Sequence, residues 1–527
     1  MRKHTAVLLV LVAVLASCTD FLKEENKTQY SQDYIFSSEG GLNLAVSALY
    51  VLHRNYLGDD QESNTTWAVE RGTDIVTTNG GTGNFYGIYD PNHLKPSAGQ
   101  VSRMWSRMYQ IIGRCNEIIA AAEKMEQTAT LKQLLAEAKA FRAQSYFLLF
   151  RTYDRIWLNT EPVTYLNVNE PREYRPATPT EVFDLLYSDL NYAIDNLDWT
   201  ASMTGRFNQA AARAILAKVA LWKKDWKTAL DMADAFEESP YSLMKTPKEV
   251  FEKSDLNHSE ALLVQQWSEN PGGNLDLKSP KGHQFATLFI ARSRGVIGGT
   301  DEESCSKENW GYTYGRCLPN PYLFSLYDKS KDKRYNDWFV HQYKNTSEKN
   351  VIYGNVTVKP GEYFPATKSG SYDKDNLPGC TKHGDILTRE LFASRGYKDI
   401  ILYRLADVYI MGAEAALRLG DQTKAKYYFN KTWQRAGNAA FTGTLKLQDI
   451  IDEEAREMCF ENDRWYFLKR LGLLIENVKK NAGHEGLPES LLGRTNLPAN
   501  PHFVRWPIPE EEIINMGAEN FPQNVGY

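Results

Sequence analysis

The sequence holds few cysteines and histidines for its length, 6 and 9 among 527 residues. No two cysteines form a Cys-x-x-Cys pair, no His-Glu-x-x-His occurs, and the histidines are scattered, so a metal centre has no support. A Gly-x-Ser-x-Gly nucleophile turn is missing as well. No block of lysine and arginine dominates and the net charge is -5, which removes the electrostatic footing for a nucleic-acid partner. Downstream of the N-terminus there is no run of 18 or more apolar residues, and a mean hydropathy of -0.49 fits a water-facing body.

The N-terminus is different. Met1-Arg-Lys-His4 precedes an apolar and small stretch from Ala6 to Ala16, the basic-then-apolar layout of an export signal. Such a stretch is too short to span a bilayer core of ~30 Å, which takes about 20 helical residues. Residues 1–17 are therefore expected to be a signal peptide. Their end runs into Cys18 as Leu15-Ala-Ser-Cys18, which resembles a bacterial lipobox, so Cys18 is the expected lipidation site and the mature chain is tethered rather than spanning. A polar tether over 18–35 follows. Its Lys23, Glu24 and Glu25 resemble the surface-export signal of Bacteroidetes lipoproteins, and a solvated linker explains the same residues.

The expected fold class is mainly α. From Val101 to Ala122 the apolar residues recur every three or four positions, which predicts a long helix with one buried face, and a second runs from about Leu131 to Tyr153. Gln209–Glu238 and Ile400–Arg435 each read as helix, short break, helix. The two superpose at a constant offset: Ala217 on Ala413, Ala220 on Ala416, Leu221 on Leu417, Asp225 on Asp421, Ala229 on Ala425. Small residues at these positions let antiparallel helices approach closely, and the pattern resembles the tetratricopeptide repeat. Between these pairs, residues 257–395 turn to glycine, tyrosine and short β-like runs such as Ala261–Trp267 and Val351-Ile-Tyr353. The expected organisation is thus a helical region over 36–256, a loop and short-strand excursion over 257–395, and a helical return with a C-terminal tail over 396–527. Loops on a rigid scaffold are where binding chemistry concentrates.

In their order and spacing, several fragments resemble the SusD/RagB family of nutrient-binding outer-membrane lipoproteins. Besides the lipobox they are Arg71-Gly-Thr-Asp74, Trp105, Tyr109, Arg114-Cys-Asn116, Glu137–Arg142, Arg206-Phe-Asn-Gln, Asp332-Lys-Arg334, Arg404-Leu-Ala-Asp and Ala413-Glu414-Ala. The closing stretch adds Arg456-Glu457, Glu461 and Arg464 on a helix, Trp506-Pro-Ile-Pro509, and the terminal Gln523-Asn-Val-Gly-Tyr527. The family's usual Glu-Gly-x-Arg appears here as Glu461-Asn-Asp-Arg464. The resemblance implies an α-rich body docked over a SusC-type TonB-dependent transporter, with a glycan, or in some members a peptide, captured between them. It implies a cell-surface location in the outer membrane, no cofactor and no enzymatic activity.

Sugar rings stack their C–H faces on aromatic side chains while their hydroxyls take hydrogen bonds from polar groups at the rim. Candidates in the two loop-rich regions are Trp67, Asn84, Tyr86 and Tyr89 in the first, and Trp267, Arg292, Trp310, Tyr312 and Tyr314 in the second. Each could instead be a core or hairpin aromatic. The run Trp310-Gly-Tyr312-Thr-Tyr314-Gly is the leading candidate. Cys115 and Cys459 are expected to be buried in helices, and a Cys305–Cys317 bridge would stiffen the aromatic loop, with two thiols as the alternative. Glu457 and Glu461, four apart, could mimic a glycosidase carboxylate pair, but Arg456, Arg464 and Arg470 beside them point to an ion-pair network. Asp373-Lys-Asp375-Asn376 lacks the remaining ligands of a calcium loop and reads as a turn.

Overall fold

The structure, a computed structural model, describes residues 32–58, 65–77, 88–89, 91–163, 167, 169–268, 282–291, 305–353, 355–366, 378–482 and 501–527. The expected signal peptide, Cys18, the tether to residue 31, and the Asp373–Asn376 turn lie outside the described residues.

The longer helices, labelled in chain order, are α1 (Glu39–Gly58), α2 (Gly99–Ala122), α3 (Ala129–Tyr153), α4 (Pro179–Asn196), α5 (Gln209–Lys223), α6 (Trp226–Asp234), α7 (Leu405–Arg418), α8 (Gln422–Arg435), α9 (Leu447–Met458) and α10 (Arg464–Leu471). The apolar stripe expected on α2, Val101 to Ala122, is buried along its length. Local chemistry fixes where the helices begin. Thr128 accepts from the Leu131 N–H ahead of α3, and Thr178 forms a capping box with Glu181 behind Pro179 at the start of α4. α2, α3, α4 and α5 pack in series. A buried Arg142 ties three of them together: its guanidinium donates to both Asp189 oxygens on α4, at 2.8 and 2.9 Å, and to Asn116 Oδ1 on α2 at 2.9 Å.

The repeat read from the sequence is present in three dimensions. α5–α6 and α7–α8 are antiparallel pairs, and Ala217, Ala220, Ala229, Ala413, Ala416 and Ala425 all fall in one buried cluster where the pairs meet. Asp225 and Asp421 occupy the same place in each: both carboxylates cap the second helix by accepting from the N–H three residues on.

The excursion is as irregular as its composition implies. Its described helices span five residues at most, and its strands pair two by two. One ladder matters most for function: β1 (Ala261–Gln265) pairs antiparallel with β2 (Ile400–Arg404), Ile400 opposite Gln265 and Arg404 opposite Ala261. The expectation that the second helical pair begins at Ile400 is therefore corrected, since residues 400–404 complete a sheet and the helix starts at Leu405.

Two further expectations change. Cys305 and Cys317 are not bridged. Cys317 is fully buried in the apolar cluster of Phe289, Phe324 and Phe339, with its N–H held by the Leu288 carbonyl at 2.9 Å, while Cys305 stays nearer the surface. The loop is pinned instead by Arg389, which donates to the Trp310 carbonyl at 2.8 Å and the Tyr312 carbonyl at 2.9 Å. Glu457 and Glu461 do not share a helical face, because α9 ends at Met458 and the chain turns through left-handed Phe460 and Asn462. Both carboxylates are buried in an ion-pair network, as expected in kind, but their partners come from far along the chain. Glu457 meets Arg334, Arg404 and Arg435, and Glu461 meets Arg404 and Lys382.

Candidate functional site

α1 places Ser47, Tyr50, Val51, Arg54 and Gly58 three or four residues apart, hence on one face. That face closes a groove of about 450 Å³ with Phe141 and Gln144 of α3, the segment from Met203 to Phe207, and β1 with its continuation to Ser268. The floor is aromatic. Tyr50 meets Phe141 edge-on at 4.7 Å, and Phe141 meets Phe207 edge-on at 4.8 Å. The Tyr50 hydroxyl donates to Glu137 and accepts from the Phe207 N–H at 2.7 Å, and burial holds it protonated far above the ordinary tyrosine range.

At the rim stands Trp267, two residues beyond the end of β1 and partly exposed. Every side of it is fixed. Its indole N–H donates to Gln265 Oε1 at 3.1 Å, which turns the amide nitrogen of Gln265 towards His53 Nδ1 at 3.3 Å, so the His53 proton sits on Nε2. Burial lowers His53 to about 4, and the ring is neutral at physiological pH. The Trp267 backbone N–H donates to Asp399 Oδ1 at 2.9 Å, a carboxylate that burial raises to about 6. His283 meets the indole edge-on at 4.9 Å, and its own Nε2 donates to the Lys398 carbonyl at 2.6 Å. Arg54 lies over the ring with its guanidinium carbon 5.7 Å from the centroid. The indole fills the space that a side chain at residue 58 would need: a Cβ on Gly58 would stand 2.2 Å from Trp267 Cη2. A pre-positioned aromatic above an apolar floor, with a guanidinium and amides at its edge, can stack one ring of a ligand and bind its polar substituents.

The structure does not gather the other predicted residues here. Tyr89 is buried, 3% exposed, and its hydroxyl donates to the Gly72 carbonyl, so the core reading holds for it. Trp310 is turned inward against Gly384 and the apolar cluster of Ile290, Tyr343 and Phe364, and borders a separate, broader groove. Tyr312 and Tyr314 pack edge-on at 5.0 Å. Asn84, Tyr86, Arg292 and the side chain of Trp67 lie outside the described residues. Sequence reasoning missed Tyr50, His53, Arg54 and Gln265. The signal available for the first three was the amphipathic period of α1, whose Leu42, Val46, Leu49 and Leu57 form its buried side.

Among the described residues no group of three or more acidic, histidine or cysteine side chains is placed to hold a metal ion.

Two family models cover most of the chain: one described as the SusD family over residues 269–527, and one described as starch-binding associating with outer membrane over residues 20–221. A SusD-like protein of Bacteroides ovatus is 26% identical over 501 residues, spanning 88% of this chain and 82% of that protein. Among solved structures, a laminarin binding SusD-like protein superposes with a TM-score of 0.68 at 22% identity, over 93% of this chain and all of the other. A SusD homolog from Bacteroides thetaiotaomicron gives a TM-score of 0.74 at 18% identity, over 94% and 99% of the two chains. These structural matches establish the shared fold, and the two family models together place the chain in the SusD family.

Proposed function

We propose that the protein is a lipid-anchored binding protein of the outer membrane that captures an oligo- or polysaccharide at the Trp267 groove and delivers it to a SusC-type TonB-dependent transporter. The observation that carries this reading is the fixed indole at the rim of an aromatic-floored groove. A platform whose orientation is set before the ligand arrives avoids the cost of ordering it on binding. The laminarin named for the structural neighbour is a glucan, which accords with a site of this chemistry. The reading is one of binding rather than bond cleavage. The described lining of the groove holds no carboxylate pair, and the acidic residues that the sequence places four apart are locked into arginine contacts elsewhere.

The test is calorimetric titration of the purified soluble domain against polysaccharides and peptides, with Trp267→Ala alongside. Loss of stacking worth on the order of 1 kcal/mol, plus the hydrogen bonds it aligns, predicts glycan affinity roughly tenfold weaker in the variant. Unchanged affinity would remove this groove from the site, and binding of peptides alone would assign the protein to peptide uptake. Delivery is tested by isolating the protein from outer membrane in mild detergent. The expected outcome is co-purification with a β-barrel of much larger mass, and free monomer alone would count against a stable complex.

A further inference from the structure

The charge of the groove bears on which glycans it takes. Its described lining includes two arginines, Arg54 and Arg206, and no aspartate or glutamate, in a chain whose net charge is -5. Arg206 is neutralised from outside the groove by Glu137, with Nε 2.9 Å from its carboxylate. Arg54 is not. No carboxylate among the described residues lies within ion-pairing distance of it, and burial lowers its pKa with no acidic neighbour to raise it again. A third guanidinium stands nearby: Arg395 donates to the Gly282 carbonyl at 3.2 Å and reaches the carbonyl of Gly58, the residue against which the indole lies. It too meets no carboxylate among the described residues.

Most buried arginines of this protein are held by carboxylates, and one, Arg389, by four backbone carbonyls. Arg142, Arg334, Arg404, Arg435, Arg464 and Arg470 each meet at least one carboxylate at 2.9 Å or closer. Arg54 is partly exposed in the groove and meets neither a carboxylate nor a carbonyl among the described residues, so beside a ligand platform it is placed to take an anion supplied by the ligand. The hydroxyls of a neutral sugar both donate and accept, and they are served best by carboxylates and amides together. A rim that offers guanidinium donors and no carboxylate matches a planar carboxylate or a sulfate ester, which arginine binds with two parallel hydrogen bonds.

We propose that the ligand is an anionic polysaccharide, its carboxylate or sulfate taken by Arg54 and Arg395 while a sugar face lies on Trp267. This rests on the groove being the glycan site. The experiment compares binding of the soluble domain to polygalacturonate, a sulfated carrageenan and neutral laminarin, for the wild type, Arg54→Gln, Arg395→Gln and Trp267→Ala. At least one anionic polymer is expected to bind ten times or more tighter than laminarin. That preference should shrink as salt rises from about 50 to about 500 mM, because the Debye length falls severalfold towards the contact distance. Each arginine variant should lose anionic affinity by a much larger factor than laminarin affinity, whereas Trp267→Ala should weaken both alike, which separates lost charge from a disturbed platform. Polygalacturonate alone would identify carboxylate as the recognised group, carrageenan alone sulfate. Equal affinity for laminarin, insensitive to salt and to both arginine substitutions but abolished in Trp267→Ala, would overturn the inference and leave the glycan site standing. If no polymer depends on Trp267, both fall.

Discussion

At the scale of single residues, the platform depends on a side chain that is not there. Gly58→Ala would place a methyl group 2.2 Å from the indole, whose ring is held by Gln265 and His283 and whose backbone N–H is held by Asp399, so it cannot yield without disturbing one of those contacts. Gly58 is helical, and alanine is intrinsically better than glycine in a helix by up to about 1 kcal/mol. The expected outcome is a several-fold loss of glycan affinity with little loss of thermal stability, read by titration and melting on the same sample. Another buried residue sets a pH dependence. Glu70 is 1% exposed, accepts from the Asn462 N–H at 3.0 Å through Oε2, and leaves Oε1 without a partner, and burial raises it to about 8 from 4.5. A raised folded pKa means that its stabilising contribution is complete below pH 4.5 and is lost as pH climbs through 8. Glu70→Gln cannot ionise, so its advantage in unfolding free energy over the wild type, read by denaturant titration, should be small at pH 5 and widen by pH 8.5, by an amount on the order of 3 kcal/mol. A gap that does not change with pH would mean Glu70 is not neutral in the fold. The sequence made Trp267 legible as an aromatic in a loop. Gly58 and Asp399 were not legible, because one acts by lacking a side chain and the other reaches a backbone N–H 132 residues away.

Among the elements, the helical pairs were the most readable part of the chain, and their caps explain why the repeat carries an aspartate. Asp225 and Asp421 each satisfy an N–H that the first turn of a helix leaves without a partner. Asp421→Ala should cost about 1 kcal/mol. Asp225→Ala should cost more, because its carboxylate also accepts from Thr228 Oγ1 at 2.7 Å and from Tyr187 on α4 at 3.0 Å. Denaturant unfolding of the two variants checks the order, and equal costs would show that the inter-helix bond contributes nothing. The elements misread from sequence were those whose partners are distant. Ile400-Ile-Leu-Tyr-Arg404 is a short apolar run next to a strong helical period, and such a run cannot be assigned by periodicity alone. What makes it a strand is β1, some 135 residues earlier. The helix expected to carry both Glu457 and Glu461 breaks because Phe460 and Asn462 adopt φ near +63° and +68°. Asparagine tolerates that conformation better than most residues, which is why it can stand where the family usually has glycine.

For the whole molecule, the family's marks are chiefly the contacts that join distant segments, which is why they identified the fold so well and the ligand so poorly. Arg404 from β2 reaches Glu260, Glu457 and Glu461; Arg334 from the excursion reaches Glu453 and Glu457; Arg464 joins Asp74 to α9. Removing one partner from such a buried network leaves charge without compensation, so Arg404→Ala should cost about 3 to 5 kcal/mol, whereas Arg54→Gln, at a site with no ion pair to break, should leave the melting temperature nearly unchanged.

The link between this body and the membrane is argued from the other end of the chain. Among the described residues no helix is long and apolar enough to cross a bilayer. If attachment comes from acyl chains on Cys18, each buried methylene contributes about 0.8 kcal/mol and two or more chains hold the protein stably. Nothing in the described body would then replace them. Cys18→Ala should therefore shift the protein from the membrane to the soluble fraction while its glycan affinity stays at the wild-type value, because the Trp267 groove is built from residues beyond position 46. The fractionation is made in cells lacking the transporter, after a salt wash, so that neither docking nor surface charge can hold the variant in place. Persistence in the membrane fraction under those conditions would mean that the anchor lies elsewhere in the sequence.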